Sequence, residues 1–183
     1  MKIQKGMASA FMLLSLTACG SVPGLAPPAG SPEATAASST LTVADQAFLT
    51  QAAYGGLSEV ILGRMAAEQA ATPAVRQFAR QMVEEHSAIN EELVALAEAK
   101  DMTPPVSPDA GREAAAAGLE MLEGTNFDRQ YLQQQLTEHE VAIALYRTQA
   151  QGGTDPDVRA FAAKWLPRLQ DHAAMIRSMM GMR

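Results

Sequence analysis

Four stretches of this chain carry apolar residues at spacings of three and four, the period that places side chains on one face of an α-helix. These apolar stripes consist of Phe48, Ala52, Gly55, Glu59, Leu62 and Ala66; of Val75, Phe78, Met82, His86, Ile89, Leu93 and Leu96; of Leu132, Leu136, His139, Ile143 and Tyr146; and of Val158, Phe161, Trp165, Leu169, His172, Ile176 and Met179. A helix with one apolar face must pack that face against other helices. The four stripes therefore predict an all-α fold, a bundle of four helices around one core.

Turn-forming residues predict the ends of the first two helices. Asp45 is the predicted N-cap of the first helix, which should end near Ala71. Thr72 followed by Pro73 is typical of an N-cap with proline at the first helical position. The second helix is therefore predicted to run from Pro73 to about Lys100.

Capping and turn residues also predict where the helices of the second half of the chain begin and end. A short helix is predicted over about residues 109–123, inside the connection between the two halves. The third long helix should begin at Thr125, where Asp128 has the spacing of a capping box, and should end at the glycine pair 152–153. Asp155-Pro156 then predicts the start of the fourth long helix.

A weak internal repeat relates the two halves. Residues 72–79 (Thr-Pro-Ala-Val-Arg-Gln-Phe-Ala) match residues 155–162 (Asp-Pro-Asp-Val-Arg-Ala-Phe-Ala), and each segment opens the second helix of a pair. The match favours a duplicated helical hairpin. Short loops inside each hairpin and a long crossover between them suit a bundle of two antiparallel hairpins. Pro167, inside the last helix, predicts a kink.

The first 18 residues are typical of a secretory signal peptide. Lys2 and Lys5 supply positive charge, and the apolar run over residues 8–16 is too short to span a bilayer. The run ends in Leu16-Thr17-Ala18-Cys19, which resembles the lipobox of bacterial lipoproteins, whose cysteine is lipidated. Cys19 is the only cysteine in the chain, so an internal disulfide is excluded.

The lipobox resemblance implies the domain organisation and the location of the protein. Residues 1–18 would be removed, residues 19–42 would join the lipidated Cys19 to the folded part as a disordered linker, and residues 43–181 would form the helical bundle. Gly20 follows the cysteine where an acid would suggest inner-membrane retention. The implied location is the outer membrane, with the domain facing the periplasm.

The acidic balance of the chain restricts its partners. The formal net charge is −6, and basic residues form no cluster. This argues against nucleic-acid binding and against binding of the domain itself to an anionic membrane surface. The predicted partners are the membrane, through the lipid on Cys19, and an envelope protein.

The three histidines of the chain are the residues that bear on its chemistry. His86, His139 and His172 each belong to the apolar stripe of a different helix, and Glu59 belongs to the stripe of the remaining one. At the rise of an α-helix, each of the four lies roughly 18–24 Å from a helix end, near the middle of the bundle. Burial of four ionisable groups at one level is costly unless they pair or bind a metal. The four residues are therefore candidate ligands of a transition metal.

A supporting set of polar residues is predicted around these ligands. An acid precedes every histidine, and residues one apart on a helix point about 100° away from each other. These acids could therefore orient imidazoles of adjacent helices rather than bind the metal. The predicted supporting residues are Glu85, Glu138, Asp171 and Tyr131.

An alternative is a buried polar network without metal. Each histidine would then be satisfied by a buried partner such as Glu59, Tyr131, Tyr146 or Gln135, or by water. The protein would be a non-enzymatic structural or stress-related protein of the cell envelope. Neither serine near the histidines, Ser58 or Ser87, forms a coherent triad, and there is no glycine-rich phosphate loop, so an enzymatic role is not favoured.

Several spaced motifs resemble one bacterial family, the domain of unknown function numbered 4142. They are residues 45–59 (Asp-Gln-Ala-Phe-Leu to Leu-Ser-Glu), residues 78–86 (Phe-Ala-Arg-Gln-Met-Val-Glu-Glu-His), residues 127–131 (Phe-Asp-Arg-Gln-Tyr) and Leu166-Pro167 with His172. The resemblance covers about residues 43–180. It implies a ferritin-like four-helix bundle in an exported protein, with no established reaction.

One departure from ferritin-like proteins matters for the metal. Di-iron bundles bind their metal through Glu-x-x-His pairs, but the residues three before the histidines are Val83, Leu136 and Leu169. The sequence therefore argues against a di-iron centre. If a metal binds, a mononuclear site for zinc, copper or iron fits better.

Overall fold

Helices account for most of residues 41–182, the part of the chain that this computed structural model describes. They are α1 (Val43–Gln69), α2 (Pro73–Glu98), α3 (Ala110–Glu120), α4 (Gly124–Gly152) and α5 (Pro156–Met179). No strand occurs within this range. The predicted all-α fold is confirmed. The predicted signal peptide, the lipidation at Cys19 and nearly all of the linker lie outside the described residues.

The long helices form two hairpins joined by a crossover. α1 packs along α2, and α4 packs along α5. The hairpins meet mainly between α1 and α4, and more sparsely between α2 and α5. The crossover carries α3, which lies against both α1 and α4. No helix among residues 41–182 has the length and apolar character of a membrane span.

Two apolar clusters fill the core, one toward each end of the bundle. Along α2, His86 separates Met82 of one cluster from Ile89 of the other. Along α5, His172 lies between residues of the two clusters in the same way. A buried polar layer therefore divides the core at mid-bundle, and it contains Glu59 of α1, His86 of α2, His139 of α4 and His172 of α5.

The capping residues at the starts of α1 and α4 differ from the prediction. The N-cap of α1 is Thr42, not Asp45; Asp45 is the third helical residue and completes a capping box with Thr42. The predicted capping box at Thr125 is also wrong. α4 begins at Gly124, and its N-cap residue, Glu123, makes no capping side-chain hydrogen bond.

The two misassigned acids instead connect the hairpins. The carboxylate of Asp128 accepts hydrogen bonds from the backbone N–H groups of Ala71 (2.7 Å) and Thr72 (3.0 Å), in the loop between α1 and α2. The carboxylate of Asp45 accepts from the N–H groups of Thr154 (3.1 Å) and Asp155 (3.3 Å), in the loop between α4 and α5. Each hairpin thus binds the loop of the other near the start of its first helix.

The arginines of the repeat have matching roles as well. Arg76 donates from Nη1 to the carbonyls of Ala70 and Ala71, at the end of α1. Arg159 donates from Nη1 to the carbonyl of Gly153 at 3.0 Å, at the end of α4. Equivalent residues of the two hairpins therefore satisfy equivalent helix-end carbonyls.

Candidate metal centre

The three histidines meet inside the bundle. His86, His139 and His172 are 4%, 1% and 0% exposed, respectively. One ring nitrogen from each lies within 4.8 Å of the other two, and the ring centroids are 5.2–5.4 Å apart. Among the described residues, these three side chains form the one group that could hold a metal ion.

The tautomers of His139 and His172 follow from their partners. Nδ1 of His139 is 2.8 Å from the carbonyl oxygen of Gln135. Nε2 of His172 is 2.8 Å from Oε2 of Glu85. A carbonyl or carboxylate oxygen can only accept, so both nitrogens carry the proton. Each neutral ring is therefore left with a lone pair on its other nitrogen, Nε2 of His139 and Nδ1 of His172.

Those two lone-pair nitrogens face each other at 3.2 Å. Burial lowers the pKa of His139 to about 4. Burial also lowers the pKa of His172, although the hydrogen bond to Glu85 opposes it. Both rings are therefore neutral at pH 7, and two facing lone pairs repel unless a cation lies between them. Two nitrogens bound to one tetrahedral metal at about 2.05 Å would be roughly 3.3 Å apart, close to the observed separation.

His86 supplies the third imidazole. Its Nε2 is buried and has no hydrogen-bond partner. Burial holds its pKa well below the usual value, and His139 and His172 lower it further. A buried nitrogen without a partner is rare because its desolvation is not compensated. His86 is therefore a third neutral imidazole, and the lone pair of a neutral imidazole can bind a metal.

Glu59 is separated from this group. Its carboxyl is buried, but Oε1 lies 3.6 Å from Nδ1 of His139, the nitrogen on the far side of the ring from His172. Oε2 has no hydrogen-bond partner. Burial raises the pKa of Glu59 to about 8, with a smaller opposing effect from the Gln135 side chain. Glu59 is therefore a protonated acid behind His139 at neutral pH, and its oxygens are not among the clustered ligand atoms.

The four predicted supporting residues have different surroundings. Glu85 reaches across from α2 to His172 of α5, and Nε of Arg168 lies 3.2 Å from the same carboxylate oxygen. Glu138 accepts hydrogen bonds from Arg112 of α3 rather than from a histidine. The Asp171 side chain is 69% exposed. The Tyr131 hydroxyl is buried without a hydrogen-bond partner.

Other contributors were missed by the sequence reasoning. The backbone carbonyl of Gln135 sets the tautomer of His139; since it lies four residues before the histidine, helix spacing could have identified it. Arg112 and Arg168 carry no such signal, because their approach depends on how α3 and α5 pack.

A cavity of about 130 Å³ lies beside the histidines. Glu59, His86 and His139 line it, and His172 does not. Its remaining walls come from α1, α2, α4 and α5, with Arg112 of α3 also on its lining.

The fold and the histidine group define a class of protein, a helical bundle of two hairpins with three buried imidazoles in its core. The chain belongs to the DUF4142 family, a domain of unknown function, whose model matches residues 30–179. This confirms the family predicted from the motifs. No curated protein matches the chain.

Solved structures of three other proteins have a similar fold. A DUF305 fragment from Deinococcus radiodurans is 19% identical, with a TM-score of 0.68 over 77% of this chain and 97% of that one. A DUF305 protein of Streptomyces coelicolor that is thought to be secreted is 12% identical, with a TM-score of 0.65 over 75% and 91%. A conserved hypothetical protein of Mycobacterium tuberculosis is 16% identical, with a TM-score of 0.61 over 75% and 91%. At these identities the similarity shows the fold alone.

Proposed function

We propose that this protein binds one divalent transition-metal ion through His86, His139 and His172. The observation that supports this most strongly is the 3.2 Å separation between Nε2 of His139 and Nδ1 of His172. The opposite nitrogens of both rings donate to oxygen acceptors, so two lone pairs face a common point. A cation between them removes the repulsion and uses both donors.

The donor set favours a small group of metals. Neutral imidazoles suit zinc, copper, iron and nickel, and three of them with a remaining open position form a mononuclear site. Glu59 is the predicted ligand that this proposal leaves out, because its carboxyl lies behind His139. The Glu-x-x-His pairs of di-iron bundles do not occur at any of the histidines.

The polar partners of the histidines fit the same role. Metal-binding histidines commonly donate their second N–H to a carboxylate or a backbone carbonyl, which fixes the ring and makes it a better ligand. Glu85 does this for His172, and the Gln135 carbonyl does it for His139. Glu85 also carries negative charge, because its contacts with Gln81, His172 and Arg168 outweigh burial and lower its pKa.

The site would operate in the cell envelope. We propose that residues 1–18 are a signal peptide and that Cys19 carries a lipid that anchors the domain to the outer membrane on its periplasmic side. The lipobox-like residues before Cys19 support this. The similar Streptomyces protein, which is thought to be secreted, supports export only. The role is binding rather than catalysis, in metal storage, sensing or protection.

Metal content after dialysis tests the proposal, with a matched pair of acids as probes. Purified protein is loaded with zinc or copper(II), dialysed and assayed by elemental analysis, and its affinity is measured by competition with a chelator. One ion per chain is expected. Glu85→Gln should weaken binding by about 10–100-fold, because it removes the carboxylate behind His172. Asp171→Asn, which changes an exposed acid next to the same histidine, should leave the affinity unchanged.

Absence of stoichiometric metal under every loading condition would contradict the proposal. The second candidate would then apply, a structural envelope protein with a metal-free polar network. The same 3.2 Å separation favours it in one respect, since it is also a hydrogen-bond length if one of the two rings carries a second proton, on its facing nitrogen. In that case His172→Gln would lower stability to the same extent with and without added metal.

A further inference from the structure

We propose that the cavity beside the histidines binds a small, mostly apolar molecule with one lone-pair donor atom, which would bind the metal at a position that the histidines leave open. This inference rests on the proposed metal site and specifies the kind of ligand that site would take. It is carried by the size of the cavity, its lining and two unpartnered buried polar atoms.

The cavity runs from the surface of the bundle to the histidines. Its lining includes Gln51 and Val141, which are exposed, and His139 and Leu169, which are buried. It therefore has a rim open to solvent and an inner wall at the polar layer. A small molecule could reach two of the three imidazoles from this side, while His172 is held from the other side by Glu85.

The lining sets the chemical class of the ligand. Most of the wall is apolar and comes from Ala52, Ile89, Ala142, Leu145, Tyr146 and Leu169. The polar residues at the inner end are Glu59, His86 and His139, and the first two each have a buried atom without a hydrogen-bond partner, Oε2 of Glu59 and Nε2 of His86. An apolar body with a donor atom at one end matches this distribution, as for other small-molecule sites with few polar groups.

The volume limits the size of the ligand. A 150 Å³ cavity in another protein accepts benzene, and the cavity here is about 130 Å³. A ring of about five or six atoms therefore matches the size of the cavity. Imidazole has this size, an apolar edge and a nitrogen lone pair, so it serves as the probe.

Gly55 offers a way to close the cavity without disturbing the bundle. It lines the cavity, and a Cβ built there meets no atom within 4 Å. The neighbouring Gly56 is different, because its Cβ would lie 1.9 Å from Oδ1 of Asn90. A side chain at position 55 therefore starts without a clash at its Cβ, and it also favours the helix, since glycine is a poor helix former.

Titration with imidazole tests the inference. The full chain is loaded with cobalt(II), whose visible absorption responds to coordination number, and its metal content is measured before and after titration. The wild type should show a saturable change that fits one imidazole per metal. Gly55→Leu should keep one cobalt per chain and weaken imidazole binding at least tenfold. Gly118→Leu, at an exposed glycine of α3 that also has open space, should behave as the wild type.

Each other outcome contradicts the inference. Equal imidazole affinity in Gly55→Leu and the wild type would exclude the cavity as the binding site. A cobalt-loaded wild type that shows no change, or that loses its metal to imidazole, would show that the metal has no accessible open position. Failure to bind cobalt at all would instead overturn the proposed function, and with it this inference.

Discussion

Each histidine of the polar layer has a distinct environment, and the differences decide what it can do. His139 and His172 have their outer nitrogens held by the Gln135 carbonyl and Glu85, so their inner nitrogens are fixed as acceptors. His86 has a buried nitrogen with no partner. Glu59 stands apart as a buried acid with its own proton. Three imidazoles that could each bind a metal through a lone pair, and one neutral carboxylic acid, therefore occupy a single layer.

Glu59 should make stability depend on pH in the metal-free protein. Its folded pKa of about 8 exceeds the usual value of 4.5, so the folded chain keeps a proton that the unfolded chain releases. This stabilisation is complete below pH 4.5 and is lost as the pH rises through 8. From pH 6.5 to 8 the contribution of Glu59 to the free energy of unfolding should fall by roughly 1–2 kcal/mol.

Urea unfolding in EDTA at several pH values between 6.5 and 8 measures this effect. Glu59→Gln keeps the shape of the side chain but cannot ionise, so its stability relative to the wild type should rise over the same range. Identical pH dependence in the variant and the wild type would show that Glu59 is not protonated in the fold. The three histidines act in the opposite direction, because their lowered pKa values make stability rise as the pH passes 6.5. The comparison with Glu59→Gln therefore isolates the contribution of Glu59.

Sequence reasoning at the residue scale succeeded where helix geometry alone sets the outcome. The depth estimate placed the three histidines at one level because rise per residue is constant. It also placed Glu59 at that level. The rise per residue gives only the depth along the bundle, however, and not the side from which a carboxyl approaches an imidazole. Glu138 and Glu85 hold the same position relative to their histidines, yet Arg112 pairs with Glu138 because α3 brings it there.

At the scale of the elements, the hairpins are joined by reciprocal acid-to-loop contacts. Asp45 of α1 is fully buried and accepts from the Thr42 hydroxyl at 2.6 Å, from the Gln149 amide at 2.6 Å and from two loop N–H groups. Asp128 of α4 does the same for the opposite loop. These contacts fix the loops where α1 ends and where α5 begins.

Asp45→Asn should destabilise the fold by about 2–4 kcal/mol at pH 7, because several donors lose a charged acceptor. Burial opposes ionisation of Asp45, but the hydrogen bonds from Thr42, Gln149 and Thr154 outweigh it and lower its pKa. The stabilisation is therefore present above pH 3.8 and is lost as the pH falls through the lower folded value. Chemical denaturation at pH 7 and near pH 3 should show a large difference that shrinks in acid.

Asp101→Asn is the control for that substitution. Asp101 is exposed and has φ 57, a conformation that asparagine also tolerates. The free energy of unfolding of the Asp101→Asn variant should match that of the wild type within about 0.5 kcal/mol. An Asp45→Asn variant as stable as this control would show that the acid-to-loop contact does not hold the hairpins together.

The helices themselves were predictable, and their junctions were less so. Periodicity and the proline-containing starts at residues 72–73 and 155–156 indicated four helices close to those observed. The sequence predicts Asp45 and Asp128 as local capping residues because both lie near helix starts. Their partners are in the other hairpin, and a contact between distant segments leaves no local pattern.

At the scale of the whole molecule, the polar layer divides the core into two apolar clusters. Such a layer reduces the apolar contact that would hold the bundle together, and its unpartnered atoms add a desolvation cost. A bound ion would offset that cost by giving the imidazoles a common partner. The cavity next to this layer depends on side-chain packing among four helices, so the sequence alone could not reveal it.

Metal should therefore stabilise the entire fold. A ligand that binds only the folded state raises the free energy of unfolding by about 2.7 kcal/mol at a free concentration 100 times its Kd. Calorimetry should show a higher Tm with zinc than with EDTA. His86→Gln should melt at nearly the same temperature in both conditions, whereas an equal zinc effect in this variant would place the ion elsewhere.

X-ray absorption spectroscopy of the zinc-loaded protein is the most direct test of the three-histidine site. We expect nitrogen or oxygen neighbours at about 2.0–2.1 Å, with the outer-shell scattering of three imidazoles. His139→Gln should lose one imidazole from this pattern or lose the metal. Scattering from fewer than two imidazoles in the wild type, or a sulfur neighbour near 2.3 Å, would contradict the assignment of His86, His139 and His172 as the ligands.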